Sequence, residues 1–146
     1  DVETKSQGLR MIINREELAF AGGLYEGEGS MGYRRGKQQI QVQVGMADRE
    51  PLERFGAAVG LGRLYGPYVA VRNGKTHLPQ WRWYINTYEK VQAVVAMLWP
   101  WLGPRRRKQA NEVLKRALMP RIPFRHTPET KAKITGRPKL KRKDFP

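Results

Sequence analysis

The stretch LAFAGGLYEGEGSMGY, residues 18 to 33, changes its repeat partway along. Leu18, Ala21, Leu24 and Tyr25 recur at helical intervals, and Asn14 followed by Glu17 has capping-box spacing, so a helix is predicted from about Arg15 to Gly27. From Ser30 the period becomes two. In KQQIQVQVGM, residues 37 to 46, Ile40, Val42 and Val44 alternate with Gln39, Gln41 and Gln43, as in a strand with one buried and one amide-lined face. Gly36 and Lys37 supply a turn, so residues 30 to 35 pair as the preceding strand. Between helix and strand stand two acids, Glu26 and Glu28, at the end of a helix whose macrodipole disfavours each by roughly 0.3–1 kcal/mol.

The same alternation of signals continues downstream. Asp48 is placed to cap a second helix that ends at Gly60. RLYGPYVAVR and HLPQWRWYIN then flank Asn73-Gly74, a strong hairpin signal, with Trp81, Trp83 and Ile85 alternating with Gln80, Arg82 and Tyr84. Thr87 opens a third helix that Pro100 ends or kinks, and Pro104 suits the first turn of a fourth helix, RRRKQANEVLKRALM. The predicted fold is α+β: a four-stranded antiparallel sheet backed on one side by helices. Its open face carries Arg34, Lys37, Gln39, Gln41, Gln43, Arg63, Tyr65, Arg72, Lys75, Gln80, Arg82 and Tyr84. Amides and guanidiniums of this kind pair with adenine and guanine edges in the major groove of double-stranded DNA.

Composition points to the same partner. The 146 residues hold 28 Lys or Arg against 13 acids, a net charge of +15, which calls for a polyanion. From Gly103 to Pro146 there are 15 Lys or Arg and three acids, so +12 of that charge lies in the last 44 residues. The sequence divides into an extension at residues 1–13, a core at 14–119 and a basic, proline-broken tail at 120–146, predicted to track DNA. With no cysteine and only two histidines, a thiolate or zinc site is excluded as an expectation. No apolar run reaches a membrane span and no signal-peptide pattern is seen, predicting a soluble, intracellular protein without a membrane partner.

A divalent cation would offset the charge at Glu26 and Glu28: a carboxylate and a free helix-end carbonyl are hard oxygen ligands suited to Mg²⁺ shared with phosphate. Surface ion pairs to Arg34 or Arg35 are the plainer alternative. Gly22, Gly23, Gly27 and Gly29 bare the backbone of the helix and its exit, allowing close approach of a second helix or of phosphates.

FAGGLYEGEGSM resembles the signature of the LAGLIDADG homing endonucleases, with residues Ala21 to Gly29 in register with those nine letters. Ala21, Gly22, Tyr25 and Gly27 depart from the pattern, and glutamate replaces both aspartates. The predicted order of elements, αββαββα with a saddle-shaped sheet, is that family's core, and RRRKQANEVLKRAL is similar to its terminal basic helix. The resemblance implies a homing endonuclease that hydrolyses both DNA strands. Glu28 and the Gly27 carbonyl would hold the catalytic metal, with Mg²⁺ as cofactor, Mn²⁺ substituting and Ca²⁺ binding without cleavage, and no small-molecule cofactor. Glu26 supports, Arg106 and then Lys108 neutralise the phosphate and position water, and Arg105 and Arg107 contact the backbone. Gln43, Asp48 and Arg49 are candidates for ordering water.

A single signature gives half a site, so the resemblance implies a homodimer on a palindromic or nearly palindromic target, paired through Leu18, Gly22, Gly23 and Tyr25. In the tail, TPETKAKI predicts a short helix capped by Thr127, and GRPKLKRK, with Arg137 and Lys139, is similar to a minor-groove hook. A DNA-binding regulator, an RNA-splicing maturase and a structural ribonucleoprotein component are the rival readings.

Overall fold

The computed structural model describes residues 13–34, 37–119 and 127–135. Helix α1 spans Arg15–Glu28 and runs directly into strand β1, Gly29–Arg34. Strand β2 (Gln39–Met46), helix α2 (Arg49–Val59) and strand β3 (Arg63–Tyr68) follow. A two-residue ribbon, β4 (Val71–Arg72) and β5 (Lys75–Thr76), then leads to β6, Gln80–Ile85. Helix α3 (Tyr88–Leu98), a 3-10 turn at Trp99–Trp101, helix α4 (Pro104–Leu118) and the short α5 (Pro128–Thr135) complete the chain as described. Among these residues no helix is long and apolar enough to cross a membrane.

The sheet has the order β1-β2-β6-β3 with every pair antiparallel, so β2 and β6 are its central strands. Alternation fixes its faces. Ile40, Val42 and Val44 of β2 and Trp83 and Ile85 of β6 are buried beneath Leu18, Ala21 and Tyr25 of α1, Leu52, Phe55 and Val59 of α2, and Val91, Val94, Val95 and Leu98 of α3. Trp83 anchors this core: Phe55 meets its ring edge-on at 4.7 Å, and its indole N–H donates to the Leu61 carbonyl at 2.9 Å, so the one polar atom of the ring is satisfied.

Local signals account for most boundaries. The Asn14 side chain accepts the N–H groups of Glu16 (3.0 Å) and Glu17 (3.2 Å), as an N-cap should. The reciprocal half of the capping box is missing, because the Glu17 carboxylate takes two bonds from Arg54 of α2 at 2.8 and 2.9 Å. That bond holds the Glu17 carboxyl below its usual range. Asp48 and Thr87 occupy the cap positions of α2 and α3 but make no side-chain capping bond. Thr127 does cap α5, accepting the Thr130 N–H at 3.2 Å.

The third and fourth strands differ from the sequence expectation of one continuous hairpin. Asn73 and Gly74 do form the turn, with φ of 53° and 71°. The ladder, however, breaks between Tyr65 and Tyr68, where its register shifts. Pro67 has no N–H to give, and Gly66 adopts φ of 140°, a left-handed conformation that keeps its bare Cα against Trp81. The result is a separate ribbon beyond the end of the main sheet.

Candidate active site and nucleic-acid interface

The two acids that end α1 have different fates. The Glu26 carboxylate accepts the backbone N–H of Gly103 at 2.6 Å, and Gly103 is the N-cap of α4. An acid misplaced at its own helix's C-terminus is thus well placed at the positive N-terminus of another. Among the described residues neither Glu26 nor Glu28 forms an ion pair with Arg34, and Arg35, the other expected partner, lies outside them. Glu28 is exposed, as is Gly27, and nothing lies within 4 Å of where a Gly27 Cβ would point.

Arg106 faces inward, a correction to its expected place against a phosphate. Only 7% exposed, it donates to the carbonyls of Glu26 (3.2 Å) and Gly29 (2.7 Å) and to the Gln109 side chain (3.1 Å), with its guanidinium 5.0 Å from the Tyr25 ring centroid. Gln109 in turn donates to the Met31 carbonyl at 3.1 Å. A cation therefore binds the carbonyls at the end of α1, on either side of Gly27 and Glu28. Arg107 is likewise engaged, donating to the Trp99 carbonyl through Nε (3.2 Å) and a terminal nitrogen (2.9 Å). Arg105 and Lys108 are the exposed cations at the start of α4.

The expected pairing face of α1 also needs correction. Leu18, Gly22 and Tyr25 are buried in their own chain, because the apolar stripe of α1 is taken by the core. A Cβ on Gly22 would lie 2.6 Å from Trp101 Cβ. Gly22→Ala is therefore expected to destabilise the fold by about 1–3 kcal/mol, since an atom close to the Trp101 backbone must move. Gly23→Ala, with nothing within 4 Å, should gain up to about 1 kcal/mol of helix propensity in the isolated chain. Thermal melts of the two variants at low protein concentration check the contrast. Gly23 is exposed, and with Ala19 and Gly27 at four-residue spacing it forms the outward side of the helix.

Tyr25 is also where pH enters. Burial pushes its hydroxyl up to about 12, and that oxygen has no hydrogen-bond partner among the described residues. Its neutral form is retained in the fold while the unfolded chain ionises near 10, so its contribution is intact below pH 10 and lost as pH rises toward 12. Stability should fall over that window by about 2 kcal/mol on this account. In Tyr25→Phe, denaturant melts at successive pH values should show a shallower alkaline decline.

The polar face of the sheet carries most of the residues expected there. Gln39, Gln41 and Gln43 of β2 project away from the core side, the Gln41 side-chain amide donating to the side-chain Oε1 of Gln43 at 3.4 Å. Tyr84 of β6 bonds the Tyr65 hydroxyl at 3.2 Å, which raises the Tyr84 pKa, and Arg82 donates to the Tyr68 hydroxyl at 3.1 Å. Arg34, Lys37 and Arg63 are exposed around them, Gln80 half-buried, and Arg72 and Lys75 flank the ribbon turn. Gln43 pairs with Ser30, two residues after Glu28, so it is the water-ordering candidate beside the α1–β1 junction. Arg49 instead pairs with Glu53 and stacks 4.6 Å from the Trp81 ring centroid. Asp48 is exposed. Arg137 and Lys139 lie outside the described residues.

Tyr68, Gln109 and the Glu26–Gly103 bond were not anticipated from sequence. The i−4 spacing back from Ala110, which is itself buried, does lead to Arg106 and was available as a signal of its burial.

No protein-family model matches this sequence, and no curated protein is similar to it. Solved structures are. The homing endonuclease I-CvuI, in complex with its target in the presence of calcium, superposes with a TM-score of 0.52 and 17% identity over 69% of this chain and 65% of that one. The LAGLIDADG meganuclease I-CpaMI bound to uncleaved DNA gives 0.51 and 15% identity over 67% of this chain, which spans only 37% of that one.

Proposed function

We propose that this chain, which has the LAGLIDADG homing endonuclease fold, is a metal-dependent, site-specific double-strand DNA endonuclease that acts as a homodimer. The observation that carries the reading is the exposed Glu28 carboxylate on a helix-to-strand junction whose carbonyls are held from behind by Arg106. Glu28 and the Gly27 carbonyl are hard oxygen donors that fit Mg²⁺. Among the described residues no three His, Cys, Asp or Glu side chains gather at a metal-binding distance. One chain thus offers half a donor set, to be completed by phosphate oxygens and the Glu28 of a second copy. Held by Glu28 and the Gly27 carbonyl, Mg²⁺ would supply an activated water and stabilise charge on the leaving oxygen; Mn²⁺ is expected to substitute and Ca²⁺ to support binding alone.

The other residues divide the work. Arg105 and Lys108 neutralise the phosphate from the first turn of α4, and Gln43 orients water near the junction. The Gln, Arg and Tyr face of the sheet lies along the major groove, where side chains read base edges. Two α1 helices meet through Ala19, Gly23 and Gly27, whose small side chains permit close approach.

The test is incubation of the protein with a random-sequence duplex pool and Mg²⁺. Double-strand cuts at a defined sequence support the reading, whereas salt-sensitive binding with every strand intact would make the protein a DNA-binding regulator. Sedimentation with and without DNA tests the dimer, and Gly23→Leu should yield monomers.

A further inference from the structure

Between β3 and β6, toward β2, the polar face holds a recess of about 300 Å³ lined by Arg34, Gln41, Tyr65, Tyr68, Arg82 and Tyr84. No carboxylate lines it. Two guanidiniums, three phenols and an amide make a wall rich in hydrogen-bond donors. Arg82 lies at its base on a central strand, paired on one side with Gly45, which has no side chain, and on the other with Tyr65. One terminal nitrogen of Arg82 donates to the Tyr68 hydroxyl at 3.1 Å, and the guanidinium stands 5.0 Å from the Tyr68 ring centroid. Beside it the Tyr65–Tyr84 hydroxyl bond at 3.2 Å, with the two rings 5.0 Å apart, braces the lining.

We infer that this recess is a guanine-reading site, in which Arg82, oriented by Tyr68, grips the major-groove edge of one guanine in the bound duplex. The inference rests on the DNA-binding reading above and goes further by assigning a base to a residue. Guanine presents two acceptors there, O6 and N7, which match one edge of a guanidinium. Adenine and cytosine place an amino donor in the groove, which the Arg82 guanidinium, having no acceptor, leaves unpaired, and thymine offers a single acceptor beside a methyl group. A phosphate is the competing anionic ligand. Phosphates flank the groove, opposite the rim of the sheet, where Lys37 is exposed beside edge strand β1 and Arg63 on edge strand β3. Arg82 is central and half-buried, against the base edges. Tyr68 is a positioning residue: by fixing the guanidinium beforehand it reduces the ordering cost of the contact.

The experiment first selects the preferred duplex from a random-sequence pool with the full chain in Ca²⁺. That duplex is then resynthesised with 7-deazaguanine in place of each guanine in turn, which deletes only the N7 acceptor. At one guanine of each half-site the substitution should weaken wild-type binding about tenfold. Arg82→Ala should bind the two versions equally, Arg82→Lys should not restore the difference, and Tyr68→Phe should reduce it several-fold while the duplex is still bound. Circular dichroism melts confirm that the variants fold. If every 7-deaza substitution is neutral, or Arg82→Ala weakens all duplexes uniformly, Arg82 contacts phosphate and the inference is overturned while the endonuclease reading stands. If no duplex is bound at all, both fall.

Discussion

Replacing Glu28 with glutamine is expected to lower strand cleavage by about a thousandfold or more, the loss of several kcal/mol of transition-state stabilisation, while DNA affinity in Ca²⁺ changes little. The amide matches the carboxylate in size, and Glu28 touches neither the core nor the clamp made by α4, so the fold is undisturbed. What disappears is the charge and one hard ligand. Single-turnover cleavage assays and binding titrations on the same duplex read the two effects separately. Wild-type cleavage by the variant would remove Glu28 from the reaction; equal loss of binding and cleavage would make it a DNA contact. Glu26→Gln should behave differently, because its acceptor bond to the Gly103 N–H survives in the amide and only the favourable charge at the α4 N-terminus is lost.

The second large effect belongs to stability. Arg106→Met keeps the length and apolar stem of the side chain but strands the carbonyls of Glu26 and Gly29, which Arg106 satisfies at 3.2 and 2.7 Å. Each unsatisfied buried acceptor costs about 1–3 kcal/mol, so a loss on the order of 3 kcal/mol and a fall in Tm of roughly 10 °C are expected in thermal melts. Below the new Tm the variant should also need more Mg²⁺ for half-maximal cleavage with unchanged Ca²⁺-supported DNA affinity, because the backbone carrying Gly27 and Glu28 is no longer held. A variant that melts with the wild type and cuts at ordinary Mg²⁺ would show that Arg106 holds nothing in place.

Much of the architecture is legible because it is written in short-range periodicity. The switch from a helical repeat in α1 to the Gln–Val alternation of β2, the Asn73-Gly74 turn and the proline that opens α4 each involve neighbours in sequence. The break between β3 and the ribbon is less visible, since VAVR and YVAV look as strand-like as any segment, and only Gly66 and Pro67 mark the shift. The site was legible in kind and not in detail. In the run of cations at Arg105, Arg106, Arg107 and Lys108 the letters look equivalent, yet helical rotation sends Arg106 into the core and Arg107 onto Trp99, leaving Arg105 and Lys108 outside. Leu18, Gly22 and Tyr25 show the converse difficulty. An apolar stripe announces burial without naming what it is buried against, and here the chain's own core claims it.

The contact between Glu26 and Gly103, with Arg106 beneath, has a consequence for chemistry at the next acid. Rigid helix lies before Glu28 and paired strand after it, so neither flank is free to slide toward a ligand that falls short. How far the reactive oxygen extends is then determined by the side chain alone. Glu28→Asp, ordinarily counted a mild exchange, would withdraw that oxygen by one methylene with no slack in the main chain to make up the difference.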